Sequence, residues 1–353
     1  MKKRSIALLL TVVLSIGSVL TGCGSNAPEA AAETANGENA AASADAGNQN
    51  AEDTAAGGKK VMIAAASMAE PFYAWIANAA VAELEENYPD VEYKIIDLQG
   101  DAANVPTVIE QAVVEGYDGL ILDKVSHDQD TDALLQDAKE NGVNTVLSNN
   151  SGIKDGVSSS SGASNYLLGK YIGMQAGDMM KAKAKLAVVL STPGDSGSED
   201  RWSGFQDGLK EKGRDDIEIL AVNNTDSWAK EKAMAIMEDW LQIYSEIDAV
   251  VAMCDSMALG CVEACKADGR DIKAMQFFGI DGLGDGCLAI QSGELTASVL
   301  QNGDDMGRNA AKIAMKMING EITEPEEYLI TPLVITSENV EEIIAIHKEN
   351  GAL

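Results

Sequence analysis

Side chains suited to holding a small polar molecule recur just past the ends of short apolar runs. Glu70, Phe72 and Tyr73 follow the run 61–66; Asp123, Lys124 and His127 follow 120–122; Asn149 and Asn150 follow 143–147. Further along, Asp195 and Arg201 follow 186–190, Trp228 follows 217–222, Asp255 follows 249–253, Asp281 follows 275–280, and Gln301 with Asn302 follows 298–300. Together they suit a neutral polyol. Aromatic rings cover the C–H faces of a sugar, Asp and Asn accept and donate around its rim, and Arg donates several hydrogen bonds at once. Satisfying every buried hydroxyl then supplies selectivity.

Each residue also has a purely structural role open to it. Asp and Asn at strand-to-helix turns cap helices, so Asp255 either caps the helix expected from Ser256 or contacts ligand. Phe72 and Trp228 fit core packing as well as ligand stacking. Arg201, beside Trp202 and Phe205 in an acidic region, either holds an acidic partner across the molecule or presents its fork of donors to a ligand.

Catalytic alternatives find little support. Cys254, Cys261, Cys265 and Cys287 lack CxxC spacing and read as buried thiols, although Cys261 and Cys265 share a helix face. His127 and His347 are the only histidines and lie far apart, so no zinc spacing exists. No nucleophile elbow or phosphate-cradling loop occurs. The stretch Gly282-Leu283-Gly284-Asp285-Gly286 has the wrong spacing for a dinucleotide and ends in no obvious cofactor helix. No cofactor, no metal and no enzymatic activity are expected.

The elements that must position the polar residues alternate between short apolar strands and amphipathic helices, a pattern that predicts α/β architecture with parallel sheets covered on both faces. Helices are expected near 71–84, 105–115, 134–142, 166–181, 203–212, 228–243, 256–267 and 306–318. A Gly/Ser-rich stretch at 158–163 separates two such runs, and the body from Lys59 onward is near the length at which one core splits in two. Ligand is expected in the crevice at the carboxyl ends of the strands.

The N-terminal region speaks to location. Lys2, Lys3 and Arg4 precede an apolar run from Ile6 to Leu20, too short for a typical membrane span and shaped as an export signal. Leu20-Thr21-Gly22-Cys23 follows at once and resembles the bacterial lipobox, which implies a lipidated Cys23. Residues 24–58 contain no aromatic and no Leu, Ile, Val or Met, the composition of a disordered acidic tether. The net charge is −30, and cleavage of the leader removes three further positive charges. Such a chain repels nucleic acid and anionic lipid, so its contact with membrane is expected through the lipid alone.

The fragments Glu70-Pro71-Phe72-Tyr73, Arg201-Trp202-Ser203-Gly204-Phe205, Asp255-Ser256-Met257-Ala258-Leu259-Gly260 and Gly279-Ile280-Asp281-Gly282 carry a likeness. In this order they resemble the ribose- and galactose-binding class of periplasmic substrate-binding proteins of ABC transporters. The resemblance implies a type I periplasmic binding protein fold: two Rossmann-like lobes with parallel sheets, joined by three crossings near Ala163, Gln301 and Glu326. The implied parts are a signal peptide (1–22), lipidated Cys and tether (23–58), a first lobe (59–162 plus 301–325) and a second lobe (163–300 plus 326–353). By the same likeness Phe72 and Tyr73 correspond to the aromatics of the first loop, and Arg201 to the arginine that reaches sugar hydroxyls. Trp228 corresponds to the stacking aromatic, Asp281 to the accepting aspartate and Gln301 to the hinge-side amide.

Departures from the family pattern are Glu70 for Asn, Asn149-Asn150 for Asp-Arg, Cys254 for Asn, and Asp195 where the galactose type has His. They point away from plain ribose and plain galactose, toward a pyranose, a cyclitol, an unusual sugar or an amino sugar. The implied activity is capture of a monosaccharide, a pyranose, by a monomer that delivers it to an ABC permease. The alternative is presentation of a sugar or cyclitol to a chemoreceptor or sensor kinase.

Overall fold

The computed structural model describes residues 58–126, 128–153, 155–349 and 353. Cys23, the leader, the tether up to residue 57 and His127 lie outside the described residues. In chain order the elements are β1 (Lys60–Ala65), α1 (Pro71–Asn87), β2 (Glu92–Asp97), α2 (Asn104–Val114), β3 (Gly119–Leu122), α3 (Asp132–Glu140), β4 (Asn144–Ser148) and β5 (Ser159–Gly162). Then come α4 (Asn165–Met179), β6 (Lys185–Leu190), α5 (Ser196–Glu211), β7 (Glu218–Asn224), α6 (Lys230–Ile243), β8 (Ala249–Ala252), α7 (Asp255–Ala267), β9 (Gln276–Phe278), α8 (Gly284–Ser292) and β10 (Ser298–Leu300). The chain closes with α9 (Gly303–Ile318), β11 (Glu327–Leu329), β12 (Leu333–Ile335) and α10 (Val340–Glu349).

Two parallel sheets result. The first has the order β11-β5-β4-β3-β1-β2, the second β7-β6-β8-β9, and β10 pairs antiparallel with β12. Side chains alternate across a strand, and β1 shows what that does. Val61, Ile63 and Ala65 join the core under α1 and α9, while Met62 and Ala64 join the core under α2 and α3. Burial on both faces is why these strands read as unbroken apolar runs.

Several expectations need correction. The Gly/Ser-rich stretch is a buried strand, β5, between β4 and β11. Two of its serines find partners on α9: Ser161 Oγ donates to Met306 O (2.8 Å), and Ser159 Oγ contacts Met317 Sδ (3.3 Å) while also accepting from Glu326 N (3.0 Å). Near Glu326, where a crossing is expected, Glu327–Leu329 still pairs with β5 in the first sheet, and Leu333–Ile335 pairs with β10. Helix α5 begins at Ser196, well before the expected 203, so Arg201 lies within a helix and not in a loop. The Gly-rich stretch 282–286 does open a helix, α8, and the C-terminal helix α10 was not foreseen at all.

Helices α4 and α5 pack backbone to backbone. A Cβ on Gly169 would overlap the Arg201 carbonyl, and one on Gly204 the Tyr166 carbonyl. Glycine at these positions sets how far Arg201 reaches toward the crevice.

Candidate ligand-binding site

A cavity of about 590 Å³, counting its solvent-open part, is lined by loops from both sheets. The first half contributes Glu70, Pro71, Phe72, Tyr73, Val125 and Asn149; the second contributes Asn165, Asp195, Gly197, Arg201, Trp228, Cys254, Ser256 and Asp281. These are turns at the carboxyl ends of β1, β3, β4, β6, β7 and β8, with the loop after β9 and the start of α4. Pro71 at the first position of α1 fixes the turn that carries Phe72 and Tyr73. Asp195 caps α5 through Ser198 N (2.9 Å) and so orients the helix bearing Arg201. Across the mouth, Ser196 N donates to Asp128 Oδ2 of the first half (3.1 Å).

Arg201 is the centre of the polar floor. Its Nε donates to Asn165 Oδ1 (2.8 Å), Nη1 to Met253 O (2.5 Å) and Asp281 Oδ1 (3.2 Å), and Nη2 to Gln301 Oε1 (2.6 Å). Among the described residues, four of its five N–H groups are thus engaged, leaving one on Nη2. The guanidinium also lies 5.1 Å from the Trp228 ring centroid, a cation–π contact. Gln301 passes the network to the first half, its Nε2 donating to Asn149 Oδ1 (2.9 Å). The acidic partner of Arg201 therefore sits in its own half, and the link across the halves is an amide.

Asp281 has φ 120°, a conformation costly for any residue other than glycine. Its surroundings enforce it. Asp281 N donates to Val299 O (2.9 Å) and Gln301 N to Asp281 O (2.9 Å). Asp255 holds the following turn by accepting from Leu283 N (2.9 Å) and Ser298 Oγ (2.6 Å). Glycine at 286 leaves room for that carboxylate, since a Cβ there would lie 2.5 Å from Asp255 Oδ2.

Burial governs the ionisation of this floor. It raises Asp281 above the usual carboxylate range, against the opposing pull of Arg201. Asp255 is raised by burial and by the charge of Asp281. Asp123, under the cavity, is raised by burial. Tyr73 is pushed well up by burial and then by Asp123, Asp195 and Asp281, so it stays a neutral phenol. Cys254 is likewise held as a thiol by burial and Asp281. At the rim, burial and Glu231 raise Glu70. The cavity thus offers neutral donors, carboxylates of reduced acidity and one neutralised guanidinium, a set suited to hydroxyl groups and with no activated nucleophile.

Of the residues singled out from sequence, Glu70, Phe72, Tyr73, Asn149, Asp195, Arg201, Trp228 and Asp281 meet at this cavity, and Gln301 stands behind it at 1% exposure. Asp255, Lys124 and Asn150 do not line it either, nor do Asp123 and Asn302. Asp255 neither lines the cavity nor caps α7; it is wholly buried and tethers the 281–283 turn. Lys124 and Asn150 line a separate surface pocket with Asp128 and Asp130, because neighbouring residues at a strand end point to opposite sides. Asn165, Val125, Gly197 and Ser256 were missed. Asn165 opens α4 immediately after β5, so recognising β5 as a strand would have exposed it.

Residues 61–322 match the family described as "Periplasmic binding protein domain". The chain is 25% identical over 276 residues to "Ribose import binding protein RbsB" of Bacillus subtilis (strain 168), covering 77% of this chain and 87% of that protein. It is 28% identical over 256 residues to a "Putative rhizopine-binding protein" of Rhizobium meliloti, covering 71% and 82%. Among solved structures, an ABC transporter solute binding protein from Bacillus halodurans with bound myo-inositol has a TM-score of 0.75 at 24% identity, covering 83% of this chain and 99% of that one. A galactofuranose binding protein has a TM-score of 0.75 at 22% identity, covering 84% and 100%. These relatives are transport-linked binding proteins and not enzymes. The chain therefore belongs to the periplasmic binding protein domain family and shares the type I fold of its structural neighbours.

Proposed function

We propose that this protein captures a single six-membered ring, a pyranose or a cyclitol, between its two halves and delivers it to an ABC importer. Lipid on Cys23 would hold it to the outer face of the membrane, with the segment up to residue 58 as tether. Capture would proceed by closure about the crossings near Ala163, Gln301 and Leu329–Leu333, a hinge motion that buries a weakly held ligand. The observation that carries the reading is the Arg201 fork. One N–H remains for a ligand, Trp228 flanks it, and Asp281 and Asn149 stand ready to accept and donate. Phe72 and Trp228 on opposite halves suit the two C–H faces of a ring. The named ligands of relatives include myo-inositol, D-allose and ribose, which is consistent with a polyol and leaves ring size to experiment.

The test is a thermal-shift screen against pyranoses, furanoses, cyclitols and amino sugars. A ligand of the folded form alone raises its stability by mass action. A hit from a pyranose or cyclitol supports the reading, a furanose hit refutes the ring size, and silence across the panel from ligand-free protein refutes the sugar assignment.

A further inference from the structure

The charges lining the main cavity do not balance. Among the described residues, the charged lining groups are Glu70, Asp195, Asp281 and Arg201. Asp281 and Arg201 pair at 3.2 Å and offset each other. Glu70 and Asp195 remain, one from each half, and no second cation of the described residues lines the cavity. Lys230, in the adjoining pocket, is turned to Glu263 at 2.6 Å.

Asp195 has a structural duty, since its Oδ1 caps α5 through Ser198 N (2.9 Å). Glu70 has none of that kind. It precedes α1 without a side-chain bond to that helix, is half-buried, and lines both the main cavity and the adjoining pocket. Glu231, in the first turn of α6 on the other half, lines that adjoining pocket too. Its charge reaches Glu70 and, after burial, raises the Glu70 carboxyl. Two carboxylates from opposite halves thus approach each other beside the cavity. Like charges brought together away from bulk water repel, and a positive charge near one of them relieves the cost. A neutral polyol would satisfy Arg201 and Asp281 and leave this repulsion standing. An ammonium would remove it with up to three charge-assisted hydrogen bonds. The rings of Phe72 and Trp228, on the same cavity wall, also attract cations.

We propose that the ligand is an amino sugar or an aminocyclitol in its ammonium form, with the ammonium held by the Glu70 carboxylate and favoured further by the charge of Asp195, while the hydroxyls meet Arg201 and Asp281. The inference rests on the sugar-binding reading of the main cavity. It makes Glu70 the residue that separates amines from their hydroxyl parents. The field of the whole chain, at a net charge of −30, acts in the same direction on a cationic ligand.

The experiment is calorimetric titration of the whole protein at neutral pH with glucosamine, galactosamine, mannosamine and an amino-deoxyinositol, each beside its hydroxyl parent. Two variants accompany it. Glu70→Gln keeps the size of the side chain and removes its charge. Asp195→Asn removes a charge and keeps a good helix cap. The expected result is one amine binding about tenfold or more tighter than its parent, the effect of one charge-assisted hydrogen bond. That preference, the ratio of the two affinities, should fall by about tenfold in Glu70→Gln and by less in Asp195→Asn. A parent that binds as tightly as its amine in every pair overturns the inference and leaves the sugar reading standing. A preference for amine that survives unchanged in Glu70→Gln overturns the role of Glu70. Absence of binding by every amine and every parent overturns the sugar reading as well.

Discussion

Replacing Arg201 by Met tests the energetic core of the site, because the substitution keeps bulk and deletes every donor. The Arg201 and Asp281 side chains are 7% and 6% exposed and 3.2 Å apart. Removing one member of a buried pair typically costs about 3–5 kcal/mol, since the other charge is left uncompensated. Gln301 Oε1, Asn165 Oδ1 and Met253 O also lose their donor, but water from the adjoining cavity can replace it, so about 4 kcal/mol at pH 8 is the expectation. The loss has a definite pH dependence. Arg201 is what lowers the Asp281 pKa against burial, and without it the folded state holds the Asp281 proton to higher pH. A carboxyl whose folded pKa lies above its unfolded value near 3.9 costs stability as pH rises through that window, by about 1.4 kcal/mol per pH unit. The variant should therefore recover part of its stability between pH 8 and pH 5.5. Arg201→Met/Asp281→Asn should recover a further 2–3 kcal/mol at pH 8, the coupling expected of contacting residues. Urea unfolding followed by tryptophan fluorescence at both pH values measures this. A loss below about 1 kcal/mol, independent of pH and unrelieved by Asp281→Asn, would refute the argument.

Other substitutions probe the framework. Gly169→Ala puts a methyl into the Arg201 carbonyl; overpacking costs about 1–3 kcal/mol, and the displaced helix should weaken ligand affinity more than melting temperature alone suggests, whereas wild-type affinity would show that α4–α5 spacing is irrelevant. Asp255→Asn removes a carboxyl that burial holds above its usual range. Wild-type stability should fall more steeply than the variant's as pH rises from about 4, and parallel curves from denaturant titration would contradict the assignment. Trp228→Ala should lower ligand affinity by tenfold or more through the lost ring face and its contact with Arg201, with calorimetry as the readout and unchanged affinity as the refuting result.

How much of this was legible in the sequence depends on what each residue packs against. Strands buried on both faces, such as β1 and β6, announce themselves as apolar runs. β5 does not, because Ser159 and Ser161 pair with α9 rather than with apolar neighbours. The start of α5 was hidden for a similar reason: Ser196-Gly197-Ser198-Glu199-Asp200 reads as loop, and its small residues answer to distant partners, Gly197 lying against Asn165 of α4 and Ser198 Oγ accepting from Ser191 N just past β6. Asp255 shows the limit of local reading, since a carboxylate before a helix looks the same whether it caps that helix or reaches a turn at 283 and a strand at 298. Lys124 and Asn150 fell on the wrong side of their strand ends, where one residue of shift reverses direction.

The central claim is that a ring-shaped polyol binds between the halves through Arg201. Calorimetric titration of the purified, ligand-free protein with the best hit of the sugar and cyclitol panel, beside Arg201→Lys, tests it most directly. Lys keeps the charge beside Asp281 but cannot reproduce the fork that meets Asn165, Met253, Gln301 and ligand together. The account predicts one ligand per protein and a loss of affinity of tenfold or more in Arg201→Lys. Undiminished affinity in that variant, or no polyol bound by the wild type, would contradict it.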